Sequence, residues 1–223
     1  MKLTFTFVSL VVITAAMAFA FRLELAGTPT FWFALLIPYG ALAVVAVKRL
    51  WDDGTLLDVL GPRWGDLSLG VVTGAVLLIA SFGARAVLAP AGSPRLAWLF
   101  RVYAQVGDPD EVQRSVMYTS ALFLVVIFEE LVWRSLVLDE LTARFGTRLA
   151  WPLCALCYGI TALPTLYTLR DPLAGYNPLL VTATLGCGLV WTFLASLKGR
   201  LIPVVIAHAV FTYFSLVQFR WPS

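Results

Sequence analysis

Long stretches without any charged residue constrain this chain more than any other feature. Seven segments contain no Asp, Glu, Lys or Arg: residues 3–21, 25–47, 67–84, 115–128, 149–169, 172–197 and 201–219. Because a helix needs about 20 apolar residues to cross a bilayer, six of the seven segments are long enough to do so alone. The short alternating segments of a membrane barrel are not seen. We therefore predict an all-α, multi-pass membrane helix bundle with about seven transmembrane helices.

The composition supports a membrane protein. The 223 residues are 60% hydrophobic and 13% charged, whereas soluble domains are about 45–50% apolar and about 25% charged. One soluble domain cannot bury so many apolar residues. The net charge of +3 comes from scattered residues, which excludes an electrostatic footprint for nucleic acid. We predict a single integral membrane domain over residues 1–223, located in the cell membrane, in contact with lipids and with no nucleic-acid partner.

Three features lie near the predicted membrane surfaces. The first apolar segment has small residues at Ala16, Ala18 and Ala20 and so also resembles a secretory signal, but we favour a retained helix. Residues 90–114 mix aromatic and charged side chains, which predicts a loop with an interfacial helix. Tryptophans near span ends are expected to anchor the bundle at the interfaces. These are Trp32, Trp51, Trp64, Trp151 and Trp221.

The fourth charge-free segment is followed by the residues that cost the most free energy to place inside a membrane. It stops at Glu129, Glu130 and Arg134, yet the apolar pattern resumes around them and continues to Leu138. Charged groups inside a span cost about 2.5–3.5 kcal/mol each, so they are functional candidates by default. The alternative interpretation is a structural ion pair that locks two helices together. A second adjacent glutamate speaks against that alternative, because one carboxylate is enough for a lock.

The two carboxylates are expected to behave differently. Glu130 and Arg134 are four residues apart and share a helix face, so they can pair. Glu129 lies about 100° around the helix and lacks that partner. We therefore expect Glu130 to stay ionised beside Arg134 and Glu129 to suit general acid–base chemistry near neutral pH.

The only histidine of the chain, His208, lies in the middle of the last apolar segment. A buried imidazole needs a hydrogen-bond partner. Thr212 follows one helical turn later on the same face, so both side chains can point at a cavity or at another helix. An ordinary interhelical hydrogen bond is the alternative to a functional role.

These residues resemble a known family. The stretch Glu129-Glu130-Leu131-Val132-Trp133-Arg134 has the form Glu-Glu-x-x-x-Arg, and the last segment carries Pro203 and then His208 in the setting Ile-Ala-His-Ala. Together they are similar to the first and last motifs of the CPBP family of intramembrane endopeptidases, the CAAX protease and bacteriocin-processing proteins, also called Abi proteins. The resemblance covers a family-like core at about residues 115–219.

The resemblance implies a role for each matched residue. Glu129 would activate a water molecule, and His208 would donate a hydrogen bond to the oxyanion. Glu130 with Arg134 would support Glu129 structurally. Thr212 stands where the family usually has an asparagine that shares the oxyanion role. The substrate would be a membrane-embedded or lipid-anchored protein, cut near its C-terminus.

The middle motif departs from the family. An aromatic residue followed four positions later by a water-positioning histidine aligns with Tyr158 and Ala162, so alanine replaces the histidine. An alanine side chain cannot hold water. The hydroxyls of Thr161 and Thr165 flank the position and can take over part of the role, although back-bonding or interhelical bonding is the ordinary behaviour of membrane threonines.

We expect no cofactor. A zinc ion is unsupported, because zinc takes three or four N, S or O ligands and one histidine leaves only glutamates or cysteines to complete the set. Cys154 and Cys157 spell C-x-x-C, but in an apolar helix they and Cys187 are expected to be small packing residues.

Three functions remain open at this stage. The favoured one is an intramembrane endopeptidase that uses water activated by Glu129. The second is a catalytically degenerate relative that binds a substrate or a protease partner without cleaving it, which Ala162 favours. The third is a small transporter with a proton site at Glu129 and Glu130, which the lack of inverted repeats weakens.

Overall fold

The computed structural model describes residues 3–220, and helices account for most of them. The bounds are α1 Thr4–Ala20, α2 Pro29–Asp52, α3 Leu56–Leu60, α4 Asp66–Leu88, α5 Leu96–Val106, α6 Pro109–Arg114, α7 Val116–Glu130, α8 Leu138–Phe145, α9 Thr147–Thr161, α10 Thr165–Thr168, α11 Leu179–Lys198 and α12 Ile202–Tyr213. A 3-10 turn spans Leu23–Leu25, and π-helical segments span Leu131–Val137 and Phe214–Gln218. No strand occurs in this range, where Asp171 and Gly175 form an isolated bridge. The all-α prediction is confirmed.

Within residues 3–220, four helical segments are long and apolar enough to cross a membrane. They are Pro29–Asp52, Asp66–Leu88, Thr147–Thr168 and Leu179–Lys198. Thr4–Ala20 and Ile202–Gln218 are shorter apolar helices. Every charge-free segment of the sequence is therefore built around a helix, and the multi-pass bundle is confirmed. Crossing by the three remaining segments, which would complete the seven spans, stays a prediction.

The core of the bundle is built from large aromatic side chains. Tyr39 on α2, Trp133 in the first π-helical segment and Trp191 on α11 are almost completely buried. The indole N–H of Trp133 donates to the Tyr39 hydroxyl at 3.3 Å, which satisfies a polar group that burial would otherwise penalise. These rings lie around the segment that carries Glu129, Glu130 and Arg134.

Two glycines set the position of α12. A Cβ built at Gly70 would lie 2.6 Å from Ile206 Cβ, and one at Gly74 would lie 2.8 Å from the Ala207 carbonyl oxygen. Only glycine permits such close approach of two helices. The α4–α12 contact therefore fixes the helix that carries His208.

The first helix is tied to α8 by a buried carboxylate. Glu140 is 4% exposed, and its Oε2 accepts hydrogen bonds from the Thr6 main-chain N–H and the Thr6 hydroxyl, both at 2.7 Å. Oε1 accepts from the Phe5 N–H at 3.2 Å. A carboxylate at a helix N-terminus accepts hydrogen bonds from the free N–H groups of the helix and interacts favourably with the helix dipole. Further along α1, Ile13 and Met17 are buried in the core.

The predicted interfacial segment is helical but packs differently from the expectation. Residues 90–114 contain α5 and α6, and α5 is amphipathic, as predicted. Its apolar side chains Trp98, Leu99 and Tyr103 are buried against Ala89 and Leu179, whereas Phe100 is exposed. The apolar face thus meets protein rather than lipid headgroups, because the ends of α4 and α11 lie beneath it.

The tryptophans divide into two groups. Trp51 and Trp64 are largely exposed, as expected for interface anchors, and Trp151 is half-buried. Trp32 is 6% exposed and stacks edge-on against Phe31, so the expectation was wrong for this residue, whose ring faces the core. Trp221 lies outside the described residues.

Candidate active site

The helix changes its winding where the charges occur. α7 ends at Glu130, the next seven residues form a π-helical segment, and α8 continues from Leu138. All seven residues of the π-helical segment, including Arg134, are buried. π-helical turns inside α-helices are rare and frequently mark functional sites. The wider turn follows directly on the two glutamates.

Glu130 and Arg134 form the predicted ion pair. The Arg134 Nη1 atom lies 3.4 Å from Glu130 Oε1, and both side chains are 0% exposed. The guanidinium also lies over two rings, 4.5 Å from the Tyr158 centroid and 5.6 Å from the Trp191 centroid. These contacts compensate a buried cation whose nitrogens have no hydrogen-bond partner within residues 3–220.

His208 bridges the two glutamates. Its Nδ1 lies 2.6 Å from Glu130 Oε1, and its Nε2 lies 3.6 Å from Glu129 Oε2. The ring is stacked on Trp191 with a centroid distance of 3.8 Å. Because Nδ1 contacts Glu130 and Trp191 is stacked on the ring plane, the imidazole has one defined orientation.

Glu129 has partners that the sequence did not predict. The Tyr158 hydroxyl on α9 donates to Glu129 Oε2 at 3.0 Å, and His208 approaches the same oxygen. The expectation that Glu129 lacks a partner was therefore wrong, because helix geometry describes neighbours on one helix and says nothing about side chains arriving from α9 and α12. The Glu129 side chain remains 13% exposed, whereas Glu130 is completely enclosed. Of the two carboxylates, Glu129 is the one that a water molecule or a substrate can reach.

The structure brings four of the five predicted site residues together. Glu129, Glu130, Arg134 and His208 form one cluster between α7, α12 and the first π-helical segment. Thr212 lies one turn beyond His208 and is half-buried, and its main-chain carbonyl accepts from the Ser215 hydroxyl at 3.5 Å. The structure records no bond between the Thr212 side chain and these four residues. The roles of all five residues stay predictions.

The middle motif offers no substitute at the flanking threonines. Ala162 is 0% exposed and follows the last residue of α9. The Thr161 hydroxyl donates to the Tyr158 carbonyl and the Thr165 hydroxyl to the Ala162 carbonyl, both at 2.7 Å. Both hydroxyls therefore bond to a main-chain carbonyl three residues earlier in the chain, which is the back-bonding expected for them.

Within residues 3–220, no group of three His, Cys, Asp or Glu side chains is arranged to hold a metal ion. The absence of a cofactor stays a prediction. Cys154, Cys157 and Cys187 are free thiols, and Cys154 donates to the Trp133 carbonyl at 3.0 Å.

Three residues that contribute to the site were not predicted from the sequence. Tyr158 was noted only as the aromatic of the middle motif, and Tyr39 and Trp191 were not singled out. Tyr158 contacts Glu129, Trp191 stacks on His208, and Tyr39 is bonded to Trp133. A polar aromatic residue inside an apolar span is the available signal, because a buried hydroxyl or indole N–H needs a partner.

Asp171, which lies outside the spans, has a shifted pKa. The main-chain N–H groups of Ala174 and Leu173 donate to the Asp171 carboxylate and lower its pKa, with a further contribution from Arg101. The Arg101 Nη2 atom lies 3.1 Å from Asp171 Oδ2, which links α5 to the loop before α11.

Comparison with known proteins supports the family resemblance. Residues 111–214 match the family model described as Rce1-like, type II CAAX prenyl endopeptidase Rce1-like. No curated protein and no solved structure matches the chain. The matched range contains Glu129, Glu130, Arg134 and His208. The resemblance to the CPBP family is thereby confirmed over residues 111–214.

Proposed function

We propose that this protein is an intramembrane endopeptidase that cleaves a membrane-associated protein substrate near its C-terminus with water activated by Glu129. One observation carries the proposal. A partly accessible carboxylate and an oriented imidazole lie 3.6 Å apart in an Rce1-like segment. At this separation the general base can act on the attacking water while the hydrogen-bond donor acts on the developing oxyanion of the same hydrolytic step.

Glu129 is the base in this proposal. Its carboxylate takes a proton from water as the water oxygen attacks the scissile carbonyl carbon. The proton then goes to the leaving amine as the carbon–nitrogen bond breaks, which yields a new carboxyl terminus and a new amino terminus. The same glutamate returns to its starting form, so no external reactant besides water is needed.

Glu130 and Arg134 position the other groups. Arg134 compensates the charge of Glu130, and Glu130 accepts the Nδ1 proton of His208. A carboxylate in this position holds an imidazole in one orientation, as the aspartate of a catalytic triad does. The His208 Nε2 atom then faces the reacting region, where it can donate to a developing oxyanion.

The charge balance of the cluster is consistent with these roles. The charges of Arg134 and Glu130 cancel. Glu129 and His208 are together neutral when one proton is added to the pair formed by the Glu129 carboxylate and the neutral imidazole. A neutral cluster is favoured in a membrane interior. With the proton on His208, the imidazolium donates from both nitrogens and the Glu129 carboxylate is free to accept a proton.

The substrate class follows from the family. The matched model is named for CAAX prenyl endopeptidases, so we propose a lipid-anchored protein with a C-terminal CAAX box as the substrate. The cluster lies within the helical bundle, where a prenyl chain in the bilayer can bring such a C-terminus. We place the protein in the cell membrane as a multi-pass integral protein without a cofactor.

A degenerate binding protein is the second candidate. Ala162 favours it, because this position carries a water-positioning histidine in the family and has no exposed surface here. This candidate retains the substrate site and lacks turnover.

One experiment separates the two candidates. The full chain is reconstituted in lipid vesicles with a prenylated CAAX peptide, and release of the C-terminal fragment is followed for wild type and for Glu129→Gln. The endopeptidase proposal expects cleavage by wild type and a loss of at least about 100-fold in Glu129→Gln, since the amide keeps the shape and loses the basicity. Binding of the peptide without cleavage by folded wild-type protein would instead establish the degenerate function.

A further inference from the structure

We infer that Tyr158 is a positioning residue for the Glu129 carboxylate. The inference rests on the proposed endopeptidase function. Its starting point is the 3.0 Å hydrogen bond from the Tyr158 hydroxyl to Glu129 Oε2. The hydroxyl comes from the last turn of α9, immediately before Ala162.

The other groups near position 162 are committed elsewhere. The hydroxyls of Thr161 and Thr165 both bond to main-chain carbonyls of their own segment. The methyl group of Ala162 offers no donor. Within the described part of α9 and α10, the Tyr158 hydroxyl is the side-chain donor whose recorded bond reaches Glu129.

The Tyr158 ring is held tightly enough to position a carboxylate. Its centroid lies 5.6 Å from that of Trp133, and the Arg134 guanidinium covers it at 4.5 Å. On the α11 side the ring fills the space left by Gly188, where an added Cβ would lie 2.9 Å from Tyr158 Cδ1. A ring confined on these sides directs its hydroxyl at one point.

The bond has a defined consequence for the reaction. Tyr158 and His208 both approach Oε2 of Glu129, so this oxygen is fixed and the carboxylate plane cannot rotate freely. In the proposed step, the carboxylate held in this way takes the proton from the attacking water. A base held in the attack geometry lowers the entropic part of the barrier. Tyr158 keeps its own proton throughout.

The test compares Tyr158→Phe with Tyr118→Phe, a matched loss of a hydroxyl from a buried tyrosine on α7. Cleavage of the prenylated CAAX peptide is measured in vesicles. We expect kcat to fall about 10- to 100-fold in Tyr158→Phe, as for loss of a hydrogen bond to a charged group, with KM within about twofold. Tyr118→Phe should retain wild-type kcat.

A second variant separates positioning from structural damage. Gly188→Ala pushes the Tyr158 ring and should lower kcat in the wild-type background. In the Tyr158→Phe background it should have little further effect on kcat, because no hydroxyl is left to misplace. Equal losses of kcat in both backgrounds would show a structural effect and overturn the inference.

The failure of this inference is distinguishable from failure of the proposed function. If wild type cleaves, Glu129→Gln does not, and Tyr158→Phe matches wild type, the role of Tyr158 is refuted while the endopeptidase stands. If Glu129→Gln cleaves as fast as wild type, both are refuted, because Tyr158 would be positioning a group that the reaction does not use.

Discussion

Replacing Arg134 with leucine should destabilise the protein strongly, because it leaves the Glu130 carboxylate as an unpaired charge in the core. The two side chains are 0% exposed and their nearest charged atoms are 3.4 Å apart. At an effective dielectric constant of about 20, that separation corresponds to an attraction of about 5 kcal/mol. Breaking one side of a buried pair costs about 3–5 kcal/mol. The Nδ1 atom of His208 still contacts Glu130 and places the expected loss near the lower end of that range.

The assay is equilibrium unfolding in mixed detergent micelles, compared between wild type, Arg134→Leu and the double variant Glu130→Gln/Arg134→Leu. We expect the double variant to be more stable than Arg134→Leu, because it removes the orphaned charge. The control is Arg114→Leu, which removes an exposed arginine from an i,i+4 surface pair and should change the free energy of unfolding by less than about 1 kcal/mol. Wild-type stability in Arg134→Leu would refute the argument that Arg134 neutralises Glu130.

Three further predictions test the packing around the site. Gly74→Val should lower the thermal unfolding midpoint by forcing α4 away from α12, at a cost of about 1–3 kcal/mol. Gly83→Val on the same helix should not lower the midpoint, because an added side chain there meets nothing within 4 Å. Equal midpoints of the two variants would refute the close-approach argument. Glu140→Ala should cost about 2–3 kcal/mol in the unfolding assay, since three hydrogen bonds at the start of α1 are lost, and the exposed Glu24→Ala serves as its control. Asp171→Ala should lower the midpoint at pH 7, and the difference from wild type should close as the pH falls below about 4, because the pKa of this carboxylate is lower in the folded state and its stabilisation is lost on protonation; a difference that does not change with pH would contradict this.

The helices and the polar cluster could be predicted from sequence to different degrees. Charge-free segments identified every long helix, because the period and length of apolar residues reflect the bilayer directly. The pairing of Glu130 with Arg134 followed from their spacing on one helix. The meeting of His208 with both glutamates was expected only from the cost of isolated polar groups in a membrane.

The rest depended on contacts between distant parts of the chain. The bond from Tyr158 to Glu129 joins residues 29 positions apart, and the stacking of Trp191 on His208 joins two different helices. Neither spacing leaves a periodic signal in the sequence. The π-helical turn at Leu131–Val137 was also missed, because its residues have the same apolar pattern as the α-helix on either side. The burial of α5 against protein depends on the ends of α4 and α11 lying beneath it.

The most direct test of the central claim is an oxygen-isotope measurement in a single turnover. The enzyme in excess over a prenylated CAAX peptide is allowed to react in water enriched in oxygen-18, and the new carboxyl terminus is analysed by mass spectrometry. If Glu129 activates water for direct attack, every product molecule of the first turnover carries one heavy oxygen, and Glu129→Gln forms no product. First-turnover product without heavy oxygen would mean that a protein carboxylate attacked the peptide instead, and it would contradict the account.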